Sequence, residues 1–416
     1  MRQLRIVFVI ENLSFPRDPR VRQEALTLSQ QGCRVSVVCP AGKALDSTRF
    51  EVIDEIRVYR YWQPWSARGV FGYFLEYGWA MACSFALLTW IWIREGFDVV
   101  HAANPPDLLC LVAFPFILIG KKFVYDQHDL CPELLSFRFS TATVLRKLCF
   151  LMEWLSYKLA TLVIVTNQSA YDIALARGAR TGRLYIVRNG PDLEVLVETT
   201  AKPSPKNGGQ YLAVYAGTIG PQDGVDRLIM AAHYIIHQRG RSDVRFALLG
   251  DGDCLEQLRN MARELKIESF IDFCGWVSSS TLETYLLTAD LCLSPEPASE
   301  YNQRSSFIKL TEYMCYGKVT VCSDLLESRR TLGDAGLFVD TDDPALFGNA
   351  ILEILNAPER CDDIGRLAVE RFRTSFHWGL SRKVLIEAYE NAFCAVPLSS
   401  SMLPATVHRN QNSATH

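Results

Sequence analysis

The sequence predicts an α/β protein with two successive parallel sheets. Its 416 residues exceed what one hydrophobic core usually organises, so two domains are expected. Short apolar runs alternate with helical patterns along both halves of the chain. A stretch that contains Pro, Ser and Gly, 202–209, separates the two series and is the clearest predicted linker. Strand–helix–strand repeats of this kind form βαβ units, whose strands lie parallel.

The first series begins with a continuous apolar run, Ile6–Ile10, which is typical of a strand buried on both faces. A helix is predicted over 16–31, because Gly32 follows its last periodic residue. The next strand is predicted at Val35–Cys39. Further strands are predicted at Phe97–His101, Lys122–Asp126, Thr161–Thr166 and Leu184–Arg188.

The second series follows the linker and has the same alternation. Its predicted strands are Tyr211–Ala216, Val244–Leu249, Phe270–Phe273, Leu291–Ser294, Val319–Cys322 and Leu337–Val339. Two domains are therefore predicted, at residues 1–195 and 210–377. The stretch 396–416 is rich in Ser, Thr and Asn, has no apolar periodicity, and is predicted to be a disordered tail.

Composition and charge exclude several classes of protein. Hydrophobic residues make up 49% of the chain, which excludes a mainly disordered or fibrous protein. The net charge of −3 provides no general basic field for nucleic acid. Residues 1–190 carry 22 Lys and Arg against 16 Asp and Glu, whereas the remainder carries 21 against 30. A basic first half and an acidic second half predict two domains with different partners.

The thirteen cysteines are scattered singly, with no Cys-x-x-Cys pair and no cluster of zinc ligands. This pattern indicates reduced thiols in a cytoplasmic protein, without a bound metal. The N-terminal residues lack the long apolar core and the cleavage site of a signal peptide.

One segment, Tyr77–Ile93, contains no charged residue and three tryptophans. It has the minimum length of a transmembrane helix, but a span here would separate the strand Phe97–His101 from its sheet. A second apolar stretch, 107–120, is too short to span. Either both are core helices, or they lie in a membrane interface, and we favour peripheral contact with an anionic membrane over a span. The nearby basic residues are Lys121, Lys122, Arg138, Arg146 and Lys147.

Two glycine turns follow predicted strands of the second series. Gly217-Thr218-Ile219-Gly220 follows Tyr211–Ala216, and Gly250-Asp251-Gly252 follows Val244–Leu249. At the carboxyl end of a parallel strand, such turns can bring backbone amides to an anion. Many α/β proteins turn this way without a phosphate, so both interpretations stay open.

The densest group of polar residues runs from Arg304 to Glu312. A helix is predicted to begin at Ser305 and Ser306. Lys309 and Glu312 are three residues apart and therefore share a helix face. A serine pair, a cation and an acid in this order could hold a phosphate, a pyrophosphate and a ribose diol. The alternative is a surface ion pair.

Two histidines end predicted strands of the first series. His128 lies between Asp126 and Asp129, just after one strand, and His101 ends another. A histidine at a strand end is a credible site residue, although a single histidine is as often structural. His101 is the weaker of the two candidates.

In their order along the chain, these motifs resemble family 4 glycosyltransferases of the GT-B fold, close to the bacterial surface-polysaccharide branch. The resemblance covers about residues 4–394. It implies two Rossmann-like domains that face each other across a cleft, with a helix at about 378–394 crossing back to the first domain. The motifs are Phe15-Pro16-Arg17-Asp18-Pro19-Arg20-Val21, His128-Asp129-Leu130 with Pro132-Glu133, Arg188-Asn189-Gly190-Pro191-Asp192, Tyr215-Ala216-Gly217-Thr218-Ile219-Gly220, Leu249-Gly250-Asp251-Gly252 and Ser305–Lys318.

The resemblance implies that the second domain binds a nucleoside diphosphate sugar and that the first binds the acceptor. It also implies retention of anomeric configuration and no required metal. Glu312 would hold the ribose hydroxyls, and His128 would lie close to the donor sugar. The implied site residues are His128 and Lys309 for catalysis, Gly217, Thr218, Gly220, Gly250, Arg304, Ser305, Ser306 and Glu312 for the donor, and Asp18, Arg20 and Asp129 for the acceptor.

The chain departs from the family pattern at the donor site. Arg304 occupies the position of the first acid of the family's E-x7-E motif, in which Glu312 is the second. Thr218 and Asp223 occupy positions where basic residues commonly grip the diphosphate. We therefore expect Lys309, together with Arg304, to supply the positive charge that a leaving diphosphate requires.

Three functional interpretations remain open from the sequence. The first is a retaining glycosyltransferase at the cytoplasmic face of a membrane, acting on a glycan or a polyprenyl-linked acceptor. The second is a non-catalytic partner of another transferase, because Arg304 replaces a motif acid. The third is a GT-B sugar-nucleotide epimerase, which would need an acid/base set in the first domain. The sequence does not discriminate a UDP-sugar from a GDP-sugar, and no nucleic-acid partner is expected.

Overall fold

Two separate sheets form the framework of the protein in the computed structural model. The structure describes residues 4–42, 48–64, 69–138, 143–193 and 210–394. The predicted linker at 202–209 and the predicted tail at 396–416 lie outside the described residues. The two α/β domains, each with a largely parallel sheet, confirm the predicted fold class.

The first sheet has eight strands. They are β1 (Arg5–Val9), β2 (Arg34–Pro40), β3 (Phe50–Ile53), β4 (Ile56–Tyr61), β5 (Val99–Ala103), β6 (Lys122–Gln127), β7 (Leu162–Val165) and β8 (Leu184–Ile186). Their order across the sheet is β3-β4-β2-β1-β5-β6-β7-β8. Strands β3 and β4, a short antiparallel pair at the edge, were not predicted from the sequence. Their apolar residues are interrupted by Glu and Arg, so no continuous buried run marks them.

The second sheet has six strands, which all run parallel to their neighbours. They are β9 (Tyr211–Ala216), β10 (Val244–Leu249), β11 (Ile271–Gly275), β12 (Leu291–Ser294), β13 (Thr320–Ser323) and β14 (Gly336–Val339). Their order is β11-β10-β9-β12-β13-β14. The order reverses direction at β9 and β12, which is where open sheets of this kind bind ligands beyond the strand ends.

Helices connect most of the strands. In the first half they are α1 (Pro19–Gln30), α2 (Gly69–Arg94), α3 (Leu109–Leu118), α4 (Cys131–Arg138), α5 (Thr143–Leu159) and α6 (Gln168–Ala176). In the second half they are α7 (Val225–His233), α8 (Leu255–Glu264), α9 (Ser279–Thr288), α10 (Glu300–Arg304), α11 (Ile308–Cys315), α12 (Leu326–Leu332), α13 (Pro344–Leu355), α14 (Pro358–Arg371) and α15 (Trp378–Phe393).

The last helix, α15, returns to the first domain. Trp378, Leu385 and Tyr389 are buried in the same apolar cluster as Phe8 of β1. The backbone amide of Trp378 also donates to the carbonyl of Pro191, 2.8 Å away. Burial of these large side chains fastens the end of the chain to the first sheet.

Helix α2 buries only one side. Ala80, Ser84, Leu88 and Ile91 form a buried stripe at helical spacing, and the helix packs against β2 and β4. Within it, the stretch Phe74–Arg94 has a mean hydropathy of 1.3 and is 22% buried. By length and composition alone it could cross a membrane, and among the described residues it is the one helix that could.

Candidate active site between the two sheets

The carboxyl ends of the two sheets enclose a cavity of about 210 Å³. Both domains line it, as expected for parallel sheets whose strand ends face each other. The lining residues are Gln127, His128, Asp129, Leu130, Thr166, Asn167 and Ala170 from the first domain, and Thr218, Gln222, Asp223, Tyr301, Arg304, Ser305, Ser306 and Phe307 from the second.

Direct hydrogen bonds join the two domains across this cavity. The Tyr301 hydroxyl donates to Asp129 Oδ1, 2.7 Å away. The Asn167 side-chain amide donates to the carbonyl of Arg304 at 2.9 Å and to Ser306 Oγ at 3.1 Å. The cleft is therefore closed, and Asp129, which the family resemblance assigned to the acceptor, holds a residue of the other domain.

His128 lies at the carboxyl end of β6, as the sequence predicted, and lines the cavity. Its Nε2 is 2.5 Å from Asp126 Oδ2, and its backbone amide donates to Asn104 Oδ1 at 2.6 Å. The Asn104 oxygen also accepts from the Asp129 amide at 3.1 Å. Asp126 therefore holds the ring of His128, and Asn104 holds the backbone of the turn.

His101 does not reach the cavity. It is fully buried, stacks on Phe8 with ring centroids 4.1 Å apart, and shares a 2.6 Å hydrogen bond between Nδ1 and the Tyr389 hydroxyl. His101 therefore has a structural role and does not contact a ligand in the cavity.

Asp18 and Arg20, which were expected to bind the acceptor, are both buried. The Asp18 carboxylate caps α1 by accepting from the Val21 amide at 3.0 Å, so the helix begins at Pro19 and not at residue 16. The Arg20 guanidinium lies 2.6 Å from Asp126 and also donates to the carbonyl of Val187 at 2.7 Å. All these contacts are internal and give acceptor binding no support, so that role stays a prediction for both side chains.

The helix predicted to begin at Ser305 begins three residues later. Arg304 ends α10, Ser305 is extended, and Phe307 is the residue that precedes α11. The Ser305 hydroxyl donates to the carbonyl of Tyr301 at 2.9 Å, and Ser306 accepts from the first domain. The two serines thus hold the break between two helices in place. This break also frees the first backbone amides of α11.

Lys309, expected to be a cation for the diphosphate, is already neutralised. Its Nζ lies 2.5 Å from Glu296 Oε1 and 3.1 Å from the Tyr215 hydroxyl, and the residue is 5% exposed. Burial alone would lower the pKa of Lys309, but Glu296 and Tyr215 raise it well above its ordinary value. The charge of Lys309 is therefore balanced inside the protein, and its predicted role at the diphosphate stays a prediction.

Arg304 is the cation that faces the cavity. It is the one Arg or Lys among the described lining residues, and its side chain is 35% exposed. Its guanidinium lies 3.2 Å from Glu300 and 3.7 Å from Glu133. An exposed guanidinium with two loose carboxylate contacts can exchange them for a bidentate anion.

Of the two glycine turns, the first reaches the cavity through Thr218 and the second does not line it; most of the amides of both turns are already bonded. The Gly217 amide donates to Leu249, the Gly220 amide to Asp223, and the Gly250 amide to Gly275. The amide of Thr218 has no partner among the described residues. Thr218 lines the cavity, so its amide is the donor that this turn can offer to a ligand.

Gly250 has a packing role. A Cβ at this position would lie 1.7 Å from the carbonyl oxygen of Gly217, and the backbone has a φ of +151°. Only glycine lets the two turns approach this closely.

Glu312 lies on the second turn of α11 and is not among the residues that line the cavity. Its side chain is partly buried, and its carboxylate accepts no hydrogen bond from the described residues. Burial raises its pKa, while Lys309 acts in the opposite direction. Its predicted contact with the ribose hydroxyls stays a prediction.

A buried cluster beneath His128 has the residue types of a metal site. Ligand atoms of Glu24, His101 and Asp126 lie within 4.8 Å of one another, the only such group among the described residues. Arg20, however, lies 3.1 Å from Glu24 and 2.6 Å from Asp126. A guanidinium already supplies the positive charge there, so the cluster does not fit a metal ion.

Comparison with known proteins identifies the family of the two domains. Residues 20–195 match the family model described as Glycosyltransferase Family 4, and residues 210–357 match the one described as Glycosyl transferases group 1. The D-inositol 3-phosphate glycosyltransferase 2 of Catenulispora acidiphila is 25% identical over 244 residues, which are 56% of each chain. The chain thus spans about half the length of the curated relatives it matches.

Solved structures with the same fold cover nearly the whole chain. Sucrose-phosphate synthase from Thermosynechococcus elongatus has a TM-score of 0.77 at 17% identity, covering 94% of this chain and 99% of that one. Anabaena HepE, solved in complex with UDP and glucose, has a TM-score of 0.69 at 18% identity, covering 93% and 99%. The matched domains and the shared two-sheet architecture show that the chain belongs to family 4 of the glycosyltransferases and has the GT-B fold.

Proposed function

We propose that the protein moves a sugar from a nucleoside diphosphate sugar, with retention of anomeric configuration, to a glycan or lipid-linked acceptor in surface-polysaccharide synthesis. The observation that carries the proposal is that His128 of the first domain and Arg304 of the second line one cavity. A donor bound there would have its diphosphate against the second domain and its sugar against the first. The complex of Anabaena HepE with UDP and glucose is consistent with such a donor.

In this proposal Arg304 takes the role that was predicted mainly for Lys309. A leaving diphosphate needs preorganised positive charge in a site that excludes water. Arg304 faces the cavity, whereas the charge of Lys309 is balanced by Glu296. Binding of a diphosphate would replace the contacts of Arg304 with Glu300 and Glu133.

Backbone amides add to this positive field. The amides of Ile308 and Lys309 at the start of α11 have no partner among the described residues, whereas that of Leu310 donates to the carbonyl of Phe307. Phe307, which precedes the helix, lines the cavity. Together with the amide of Thr218, the two unpartnered amides provide donors for phosphate oxygens or sugar hydroxyls. The carboxylate of Glu312, which has no hydrogen bond of its own, is suited to accept from two ribose hydroxyls.

In the proposed reaction the bond from the anomeric carbon to the diphosphate oxygen breaks, the acceptor hydroxyl oxygen forms the new bond from the same face, and the hydroxyl proton passes to the departing diphosphate. Arg304 and the amides stabilise the charge of the departing diphosphate. No pair of carboxylates at the spacing of a glycoside hydrolase is required. The contacts Tyr301–Asp129 and Asn167–Ser306 keep the cleft closed against water. The proposal needs no metal, because the chain supplies the positive charge.

A membrane-borne acceptor is part of the proposal, because the first domain exposes a wide apolar face. Helices α2 and α3 contact each other, as do α3 and α5. We call their outward side the apolar face, and contiguous exposed surface of this kind marks an interaction site. Its residues are Phe74, Leu75, Trp79, Phe85, Trp90, Trp92, Ile93, Leu111, Phe114, Leu118, Ile119, Val144, Leu148, Phe150, Leu151 and Trp154.

Charge around the apolar face favours an anionic lipid surface. Arg94 ends α2, Lys121 and Lys122 follow α3, and Arg146 and Lys147 lie in the first turns of α5. Cations beside exposed tryptophans are typical of proteins that lie on a membrane. Because α2 packs on β2 and β4 and leads into β5 beside β1, the proposal is peripheral contact from the cytoplasmic side, without a span.

The first test is thermal unfolding of the full chain with UDP, GDP and their sugar conjugates, with and without chelator. A ligand that binds only the folded state raises the melting temperature. We expect the melting temperature to rise with the nucleotides of one base, and chelator to leave this rise unchanged. In a second assay we expect the sugar to be transferred to lipid extracts and not to D-inositol 3-phosphate, the acceptor in the name of the curated relative. No shift with any nucleotide would contradict the proposed function.

One observation favours a second candidate. Arg304 replaces an acid of the family motif, which would suit a non-catalytic partner subunit of another transferase. Nucleotide binding without transfer to any acceptor, and without slow hydrolysis of the donor, would support that candidate over the first.

A further inference from the structure

We propose that Asp126 is a positioning residue that holds the cavity-lining His128 with its proton on Nε2, so that Nδ1 presents a lone pair to a hydroxyl of the bound ligand. This inference rests on the proposed function only in naming the ligand as a sugar. The arrangement of protons can be measured without any ligand, so the two proposals can fail separately.

The first step is the ionisation state of the Asp126 carboxyl group. Its side chain is fully buried, with Oδ1 2.6 Å from the Arg20 guanidinium and Oδ2 2.5 Å from His128 Nε2. Although burial would raise it, the pKa of Asp126 lies well below its ordinary value, chiefly because the Arg20 guanidinium faces it. An ionised carboxylate only accepts hydrogen bonds, so Nε2 of His128 must carry the proton.

The second step is the other ring nitrogen. Nδ1 of His128 has no hydrogen-bond partner among the described residues, and the side chain lines the cavity. In the neutral ring with a proton on Nε2, Nδ1 is an acceptor. The site therefore prefers a ligand that donates a hydrogen bond at this point, as a sugar hydroxyl does.

The third step is what prevents Asp126 from rotating. On the side away from the cavity, His101 Nε2 lies 3.6 Å from Asp126 Oδ2 and 3.4 Å from Glu24 Oε2. His101 is in turn held by the Tyr389 hydroxyl at 2.6 Å. Helices α1 and α15 thus close the space behind the carboxylate.

The groups behind Asp126 are compatible with Asp126 as the one anion of this buried cluster. Burial raises the pKa of Glu24 well above its ordinary value, with Arg20 opposing, and burial lowers the pKa of His101. Both shifts favour the uncharged forms of Glu24 and His101, which leaves Arg20 as the counter-charge of Asp126. The ionisable groups that face the cluster are Asp18, Arg20 and Glu24 from α1, His101 from β5, His128 after β6, and Tyr389 from α15.

The test is nuclear magnetic resonance of the full chain labelled with 15N-histidine at neutral pH. Two-bond couplings to the ring carbons' protons identify which nitrogen carries the proton, and His128→Gln assigns the signal among the seven histidines. We expect His128 with a protonated Nε2 and an unprotonated Nδ1. A proton on Nδ1 instead would overturn the proposal.

Two matched substitutions separate positioning from simple stabilisation. Asp126→Asn and Glu24→Gln each replace one fully buried carboxyl group with an amide in the same cluster. If Glu24 is neutral, Glu24→Gln keeps the protonation pattern of His128, whereas Asp126→Asn changes it. Should Asp126→Asn not fold, the wild-type spectrum still decides, and a changed His128 pattern in Glu24→Gln would count against the proposal.

Discussion

Lys309 and Glu296 form a buried ion pair in the second domain, with Nζ 2.5 Å from Oε1. Glu296 also accepts from the Ser294 hydroxyl at 2.5 Å, and the ammonium lies 4.3 Å from the centre of the Tyr215 ring. Each charge therefore finds its partner inside the protein. Neither residue lines the cavity, so the pair presents no charge to the candidate site.

We predict that Lys309→Met alone destabilises the protein strongly, because it leaves Glu296 buried without a counter-charge. Breaking a buried pair in this way costs about 3 kcal/mol or more. The double variant Lys309→Met with Glu296→Gln should lose less, since no charge is then left unpaired. Urea unfolding measures the free energy of unfolding of both variants. The control is Arg329→Ala, which breaks an exposed ion pair with Asp324 and should change the stability little. Equal losses in the single and double variants would show that the charges are not coupled.

We predict that Arg304→Ala weakens binding of the donor by about 10- to 100-fold, because it removes a charge-assisted contact to the diphosphate. Arg304→Lys should recover part of the affinity, as it keeps the charge and loses the fork geometry. Calorimetric titration with the nucleotide that passes the thermal screen measures the change. The control is Arg360→Ala, since Arg360 pairs with Glu353 outside the cavity. An unchanged affinity in Arg304→Ala would remove Arg304 from the donor site.

The sequence predicted the strands of both sheets well because buried parallel strands are continuous apolar runs. β1 is found at Arg5–Val9 against a predicted Ile6–Ile10, and β9 and β10 fall where they were expected. The local signal also placed His128 correctly, since a residue just after a parallel strand must lie at the carboxyl edge of the sheet.

The sequence could not predict which charges cancel. Glu296 is separated from Lys309 by thirteen residues, and Arg20 from Asp126 by 106. These pairs form only because β12 meets α11 and because α1 covers the end of β6. Motif resemblance identified Arg20 and Lys309 as site residues, but only the tertiary arrangement shows that both are buried and paired.

Asp223 predicts a pH dependence of stability. Burial raises its pKa to about 6 from an ordinary 3.8, with Lys309 opposing. The folded protein then binds more protons than the unfolded chain between about pH 4 and 6, so this group's contribution to stability falls as pH rises through that window. Asp223→Asn should therefore be more stable than wild type by about 2 to 3 kcal/mol at pH 7.5 and nearly equal at pH 4.

The Asp223 prediction is checked by urea unfolding of both proteins across that pH range. The asparagine oxygen can still accept from the Gly220 amide, which donates to Asp223 at 3.0 Å, so the hydrogen bond is kept. Other buried carboxyl groups with raised pKa values, such as Asp107 at about 6, act equally in both proteins and cancel in the difference. A difference that does not vary with pH would contradict the raised pKa.

The contact between Gly250 and Gly217 predicts an unusually costly methyl group. Gly250→Ala would bring a Cβ to 1.7 Å from a backbone oxygen that cannot move without breaking the turn. Gly240→Ala is the matched control, because Gly240 also has a positive φ, +65°, but a Cβ there meets nothing within 4 Å. We expect a loss of about 1 kcal/mol in the control and of about 3 kcal/mol or more in Gly250→Ala, measured by urea unfolding. Similar losses would show that the turns do not pack as described.

The apolar face predicts that the protein floats with anionic liposomes. Ile93 and Leu118 are each 71% exposed, so replacing both with Glu should leave the melting temperature unchanged. Losing two lipid-buried side chains should lower liposome binding at least about tenfold. The matched control is Trp276→Glu in the second domain, where the side chain is 73% exposed and lies away from the apolar face.

Liposome binding should also weaken with salt, because part of it comes from the basic residues around the apolar face. If the double variant floats as well as wild type, or if wild type stays in solution at low salt, the membrane part of the proposed function is wrong.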